Sequence, residues 1–176
     1  MPDLPEVWLR NTPEPGVPPL LQPLAHALRQ VAEELAPLLA AFPPAQLNAR
    51  PAGLAAVGFH LRHLTGVLNR LATYARAEAL TVTQLADLAA EAAPLPATAA
   101  TVAALETAFA AEVAAFIQQL ARTNPATLTE TRSVGRAQLP STVVGLLTHA
   151  AEHTTRHFGQ LLVTARVVGA EGRKEP

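Results

Sequence analysis

Apolar residues recur at alternating steps of three and four in two long stretches, and this spacing limits the fold more than any other feature. The first stretch contains Leu21, Leu24, Leu28, Val31, Leu35, Leu38 and Phe42, and the second contains Val102, Leu105, Phe109, Val113, Phe116 and Leu120. Residues spaced in this way lie along one face of an α-helix and form the contact seam of a helix bundle. The sequence therefore predicts helices over about residues 20–42 and 98–122.

Two further helices are predicted from apolar faces and end signals. From Leu54 to about Arg76 nearly every position is apolar or small, apart from one narrow polar arc, so this helix is expected to be heavily buried. The last helix starts near Pro140-Ser141, continues to about Val168 and ends at Gly169, a residue type suited to the position after a helix.

The segments between these helices complete the predicted topology. Thr81-Val-Thr-Gln84 resembles a capping box, so a short helix to about Glu91 should follow it, before Pro94. Residues 123–139 are predicted to be a loop. Pro37 is expected to kink or restart the first helix, because it lacks the backbone N–H. The predicted fold class is all-α: a four-helix bundle with one long crossover.

Composition agrees with a helical single domain. Hydrophobic residues form 49% of the chain and many are alanine, whereas only 4% are aromatic. This balance favours closely packed helices over sheets rich in aromatic and β-branched residues. The predicted organisation is an irregular proline-rich segment at 1–19 that lies over the domain, a bundle at 20–170 and a disordered tail at 171–176.

Charge and residue usage exclude several classes of function. The 13 basic and 14 acidic residues give a net charge of −1, which does not suit nucleic-acid binding. The chain has no cysteine, so a protein thiolate can be neither metal ligand nor nucleophile. The start of the chain does not resemble a signal peptide, and no uninterrupted apolar run approaches the ~20 residues of a membrane helix. We expect a cytoplasmic protein that acts on small molecules, without a nucleic-acid or membrane partner.

Five of the six histidines lie on only two predicted helices. The second long helix carries His60 and His63, and the last carries His149, His153 and His157. Imidazole is the commonest metal ligand in proteins, and residues four apart share a helix face. Three histidines from two helices would form one site with coordination positions left open.

Helical periodicity ranks these histidines by direction. At roughly 100° per residue, His157 falls inside the apolar face of the last helix, His153 lies at its margin and His149 lies nearer the polar side. On the second long helix His60 lies near the centre of the apolar side and His63 towards its edge. Periodicity alone thus favours His153, His157 and His60, with His63 as the alternative.

The motifs around these histidines resemble those of a known family. Gly58-Phe-His-Leu-Arg-His63 and His149-Ala-Ala-Glu-His153-Thr-Thr-Arg-His157-Phe-Gly-Gln160 are similar to the DinB/YfiT-like family, which has a histidine in its second helix and a His-x-x-x-His-x-Gly-Gln signature in its last helix. The similarity extends from about Leu20 to Val168.

The resemblance implies a four-helix bundle that binds one divalent ion, zinc or nickel, through His63, His153 and His157. It also implies a metal-dependent enzyme, more in line with a transferase using a low-molecular-weight thiol cosubstrate than with a hydrolase. A hydrolase is disfavoured because no carboxylate base is apparent near the three histidines. The alternative is a non-catalytic, metal-binding or structural bundle, such as a stress-related dimer. A homodimer is also expected for the enzyme.

Several further residues are candidates for the surroundings of the site. Arg70 and Tyr74 lie on the His63 side of their helix, where they would line a pocket or pack against the core. Gln160 follows His157 by one turn and is placed to orient water or an imidazole ring. His60 and His149 are additional candidates, with hydrogen-bonded or solvated roles as the simpler interpretation.

Overall fold

The computed structural model describes residues 5–171 and contains five α-helices. They are α1 (Gln22–Ala40), α2 (Val57–Ala75), α3 (Val82–Ala90), α4 (Ala99–Arg122) and α5 (Val143–Glu171). The four long helices begin and end within about three residues of the predicted positions, and the all-α prediction is confirmed.

The four long helices pack around one apolar core. Helices α1 and α2 each pack against both α4 and α5, so α1 and α2 lie on one diagonal of the bundle and α4 and α5 on the other. The largest fully buried side chains are Leu21, Leu28, Leu35, Leu47, Leu61, Leu64, Leu68, Phe109, Phe116, Leu120, Leu147 and Leu161. Ten of these twelve side chains are leucines and the other two are phenylalanines of α4, so leucine dominates the core.

Short α3 lies on the crossover between α2 and α4. The capping box is present: the Thr81 hydroxyl accepts from the Gln84 N–H at 3.1 Å, and the Gln84 side chain accepts from the Thr81 N–H at 2.8 Å. The Gln84 amide nitrogen also donates to Asn69 Oδ1 at 2.6 Å and Thr73 Oγ1 at 2.8 Å on α2. No residue between Val82 and Ala90 is buried, so polar contacts carry much of the attachment of α3 to the bundle.

The predicted loop before α5 contains a small β-hairpin. Strands β1 (Thr131–Val134) and β2 (Leu139–Thr142) pair antiparallel. Its turn includes Gly135 at φ +66° and Gln138 at φ 48°, both in the left-handed region. Four-residue strands are too short for a clear alternating pattern, which explains why the sequence did not predict them.

Two predicted interruptions, a restart of the first helix at Pro37 and the end of the last helix at Gly169, do not occur. Helix α1 continues through Pro37 without a restart; Pro37 is exposed, so water can satisfy the carbonyl that loses its hydrogen bond. Helix α5 continues through Gly169 to Glu171. A glycine permits a helix end without requiring one.

The proline-rich segment lies along α1. Val7 N–H donates to Gln30 Oε1 at 2.7 Å, and Arg10 forms two hydrogen bonds with Glu33 at 3.0 and 2.7 Å. Val17 joins the core with 6% of its surface exposed. Of the tail predicted at 171–176, Glu171 is the last residue of α5, and residues 172–176 lie outside the described part of the chain.

Helix α4 is long and apolar enough, by length and composition alone, to cross a membrane, with a mean hydropathy of 1.6 over 18 residues. Its large apolar side chains point into the bundle, where Phe109 and Phe116 are each 1% exposed. Much of the surface that it exposes is alanine. These features match a bundle helix that is rich in alanine.

The core packing predicts the cost of a truncation in α5. Leu161→Ala removes a fully buried side chain, and we expect it to lower the free energy of unfolding by about 2–5 kcal/mol. Val163→Ala on the same helix, at a side chain that is 62% exposed, should change it by less than about 0.5 kcal/mol. Urea unfolding followed by circular dichroism measures both values, and equal losses would contradict the assigned face of α5.

Candidate metal centre

The packing of α2 on α5 brings three of the predicted histidines together. His63 on α2 and His153 and His157 on α5 offer ring nitrogens that all lie within 4.8 Å of one another. All three residues are partly exposed, so the group is reached from solvent. His153 and His157 meet because they are one helical turn apart, and His63 is added by the contact between the helices.

The distances within the three-histidine group suit a shared ion. His63 Nε2 lies 2.9 Å from His153 Nε2, and the ring centres of His63 and His157 are 4.4 Å apart. Two imidazole nitrogens bound to one ion at about 2.0–2.1 Å can be separated by at most about 4.2 Å. The His63–His153 pair is within that limit, and a ring nitrogen of His157 lies within 4.8 Å of both, so the group could hold a divalent cation after a small adjustment of the rings.

A carboxylate that the sequence did not associate with the site lies beside His63. Glu91, at the end of α3, accepts from His63 Nδ1 at 2.8 Å, and its other oxygen lies 2.7 Å from Arg70 Nη1. Glu91 and Arg70 are 6% and 9% exposed. The expectation that no carboxylate lies near the histidines is therefore wrong. The capping box predicted a helix ending near Glu91, but nothing in the sequence predicted where α3 would dock.

The sequence match agrees with this arrangement of helices and histidines. A DinB superfamily model matches residues 27–161, which is more than half of the chain and includes both histidine-bearing helices. The chain belongs to the DinB superfamily. No curated protein matches it.

The second histidine on α2 of this DinB superfamily member is buried behind the group. His60 is 4% exposed, and its Nδ1 lies 3.5 Å from His157 Nδ1. Periodicity correctly assigned His60 to the centre of the apolar face. His63, at the edge of that face, is the residue that joins His153 and His157, as the resemblance implied.

Three other candidates lie at the margin of the group or outside it. His149 and Gln160 are exposed on α5, and Tyr74 packs against the core from a partly buried position.

His149, Glu152 and His153 also offer ligand atoms within 4.8 Å of one another and form a second possible group. However, the Arg156 guanidinium lies 2.9 Å from Glu152 Oε2 and 3.2 Å from His153 Nδ1. A second metal ion there would have to displace this cation.

The hydrogen bonds define where the protons lie when no metal is bound. Arg156 can only donate, so His153 Nδ1 accepts and the His153 proton is on Nε2, from which it is donated to His63 Nε2. His63 in turn donates from Nδ1 to Glu91. For His153 to bind a metal through Nε2, Arg156 must leave its Nδ1, which is a small cost for an exposed side chain.

Burial favours the neutral form of three of the histidines. Burial, together with the nearby His157 and His63, lowers the pKa of both His60 and His153 to about 4. The pKa of His157 is also lowered, first by burial and then by His63. Burial raises the pKa of Glu91, but the His63 and Arg70 side chains outweigh it and hold that pKa below its ordinary value. Metal binding requires the neutral form of an imidazole, so the lowered pKa values of His153 and His157 favour binding by these two residues.

A polar cleft of about 620 Å³ lies on the other side of Glu91, between α2, α3 and α4. Arg70 and Glu91 form part of its wall, and Asn69 and Glu112 line it further along. Its volume is in the range of small-molecule pockets. The lining residues do not include the three histidines, so Glu91 separates the cleft from them.

The lowered pKa of His60 predicts how acid affects the metal-free protein. His60 titrates near 6.5 in the unfolded chain and at about 4 in the fold. Between these values only the unfolded chain binds the proton, so the free energy of unfolding should fall as the pH is lowered through this window. Across the whole window, protonation of His60 should lower the free energy of unfolding by about 3 kcal/mol.

Urea unfolding at several pH values between about 7 and about 4 measures this effect. The matched variant is His60→Leu, which removes the titrating group and should show a smaller loss of stability across the same window. If the variant and the unaltered protein lose stability equally, His60 is not held neutral by the fold.

Proposed function

We propose that this protein binds one divalent metal ion through His63, His153 and His157 and catalyses a metal-dependent transfer reaction with a low-molecular-weight thiol as cosubstrate. The observation that carries the proposal is the convergence of three histidines from two helices on one partly exposed point. Three protein ligands leave coordination positions for other molecules, as in catalytic rather than structural sites.

The donor set is compatible with zinc or nickel, the ions that the DinB/YfiT-like resemblance implies. All three proposed ligands are imidazoles, which suit zinc, copper, iron and nickel, and no thiolate is available from this chain. A divalent ion held by these three residues would supply a Lewis acid that lowers the pKa of a bound thiol.

The state of the neighbouring carboxylates favours thiol chemistry over hydrolysis. Glu91 Oε2 accepts from His63, Glu91 Oε1 forms an ion pair with Arg70 at 2.7 Å, and Glu152 is paired with Arg156. Glu91, which is contacted by both His63 and Arg70, is therefore poorly placed to take a proton from water as a general base. The chain contains no cysteine, so the nucleophilic sulfur has to arrive on a small molecule. The DinB/YfiT-like resemblance, which includes thiol-dependent transferases, supports the same assignment.

Metal titration is the direct test of the proposed site. Metal-free protein should bind about one zinc or nickel ion per chain, because the three imidazoles form a single site. At a free ion concentration about 100 times the dissociation constant, binding should raise the free energy of unfolding by about 2.7 kcal/mol. Isothermal titration and thermal unfolding of tag-free protein measure the two effects.

Variants identify the ligands. His157→Ala and His63→Ala should each weaken binding by more than the roughly 10–100-fold typical of a residue behind a ligand. His149→Ala is the matched control on α5 and should leave the affinity unchanged. If His60→Ala abolishes binding while His63→Ala retains it, the ligand assignment on α2 is wrong. If the metal-free protein binds neither zinc nor nickel, the site itself is disproved.

Cobalt substitution tests the thiol. Addition of a bacterial low-molecular-weight thiol to the cobalt form should produce a sulfur-to-metal charge-transfer band that the His157→Ala variant lacks. Because the thiol must ionise on binding, its affinity should rise with pH until hydroxide competes.

Two other outcomes would contradict a thiol cosubstrate, and they distinguish a hydrolase from a structural metal-binding bundle. If azide perturbs the cobalt spectrum and no thiol does, the site is open and hydrolysis becomes the better proposal. If neither thiol nor azide has an effect, the metal is closed off and the protein is a structural metal-binding bundle.

A further inference from the structure

The surroundings of His63 differ from those of the other two proposed ligands. His153 Nδ1 accepts from an exposed arginine, and His157 Nδ1 faces the neutral ring of His60. Only at His63, among these three histidines, does the second ring nitrogen contact a carboxylate, Glu91, at 2.8 Å. Because an ionised carboxylate accepts and cannot donate, the His63 proton is held on Nδ1 and the lone pair on Nε2 faces the group.

We propose that Glu91 is a positioning residue, held in place by Arg70 and admitted by Gly66, that keeps His63 in the tautomer and ring orientation required for metal binding. The inference rests on the proposed metal site. It adds to that site a carboxylate at the end of α3, a helix that carries none of the three histidines. Glu91 itself contacts His63 rather than the proposed ion, so it acts through that ligand.

Arg70 fixes the direction of Glu91. Its Nη1 lies 2.7 Å from Glu91 Oε1, which leaves Oε2 for His63. Arg62 holds the same end of the crossover, since its Nη1 donates to the carbonyl oxygens of Ala90 at 2.6 Å and Ala93 at 3.2 Å. Two arginines of α2 thus hold the side chain and the backbone around Glu91.

Gly66 leaves the space that the Arg70–Glu91 ion pair occupies. A Cβ at Gly66 would lie 2.5 Å from Arg70 Nη1 and 2.6 Å from Glu91 Oε1, closer than side-chain contacts allow. Both atoms are at the ends of flexible side chains. A methyl group there would therefore displace the ion pair and leave the helices in place.

The isosteric variant Glu91→Gln is the sharper probe. Arg70 can only donate, so the amide introduced by this substitution should turn its oxygen to Arg70 and its NH₂ group to His63. That arrangement makes Nδ1 of His63 an acceptor and moves its proton to Nε2, the nitrogen needed for the metal. We expect Glu91→Gln and Gly66→Ala to weaken zinc or nickel binding by roughly 10–100-fold.

Two measurements together decide the proposal: metal affinity by chelator competition, and the His63 tautomer in metal-free protein from two-bond ¹H–¹⁵N correlation spectra. The unaltered protein should show a proton on Nδ1, which is lost in Glu91→Gln. Gly159→Ala is the matched control, because it also replaces a helical glycine but has open space around the added Cβ. It should change neither readout.

Failure of the positioning role can be distinguished from failure of the proposed metal site. If Glu91→Gln retains the Nδ1–H tautomer, or binds metal as tightly as the unaltered protein, the positioning role is disproved. If the unaltered protein binds no metal, the proposed function fails, and the positioning role toward a ligand fails with it. In that case, loss of the tautomer in Glu91→Gln would show only that Glu91 sets the His63 proton.

Discussion

The contact between α2 and α5 is the constraint on which the candidate site depends. His63 is separated from His153 by 90 positions in sequence, yet their Nε2 atoms lie 2.9 Å apart. Fully buried leucines of both helices, such as Leu64 and Leu161, belong to the same core cluster, and the close packing of that core limits how far one helix can slide along the other. A shift of one residue moves a helix by about 1.5 Å, which is enough to separate the rings. Apolar packing therefore determines the geometry of a polar site.

Much of the fold could be predicted because helix periodicity is a local property of the sequence. The seams through Leu28 and Phe109, and the capping box at Thr81, each depend on residues within one or two turns. Glu91 could not be assigned a role in the same way. Its neighbours His63 and Arg70 are more than 20 positions away, and the path of the crossover that joins them is set by packing rather than by any repeat.

The two histidines of α2 show where periodicity and the proposed ligand assignment diverge. Periodicity finds the side chain that faces the core, and His60 is that residue, at 4% exposure. A ligand that meets incoming molecules has to lie where the core meets solvent, and the side chain of His63 is 17% exposed. The edge of an apolar face is thus the better position for a reactive ligand. Its centre suits a residue that packs behind the ligands.

Helix α3 has only nine residues, fewer than an isolated helix needs to be stable in water. The side-chain amide of its residue Gln84 has two roles. The amide oxygen accepts from the Thr81 N–H in the first turn of α3, and the amide nitrogen donates to Asn69 and Thr73 on α2. Formation of this helix and its docking on the bundle are therefore one cooperative event. Glu91 lies at the end of α3, so local opening of α3 would also take this carboxylate away from His63, which links the stability of the crossover to the state of one imidazole.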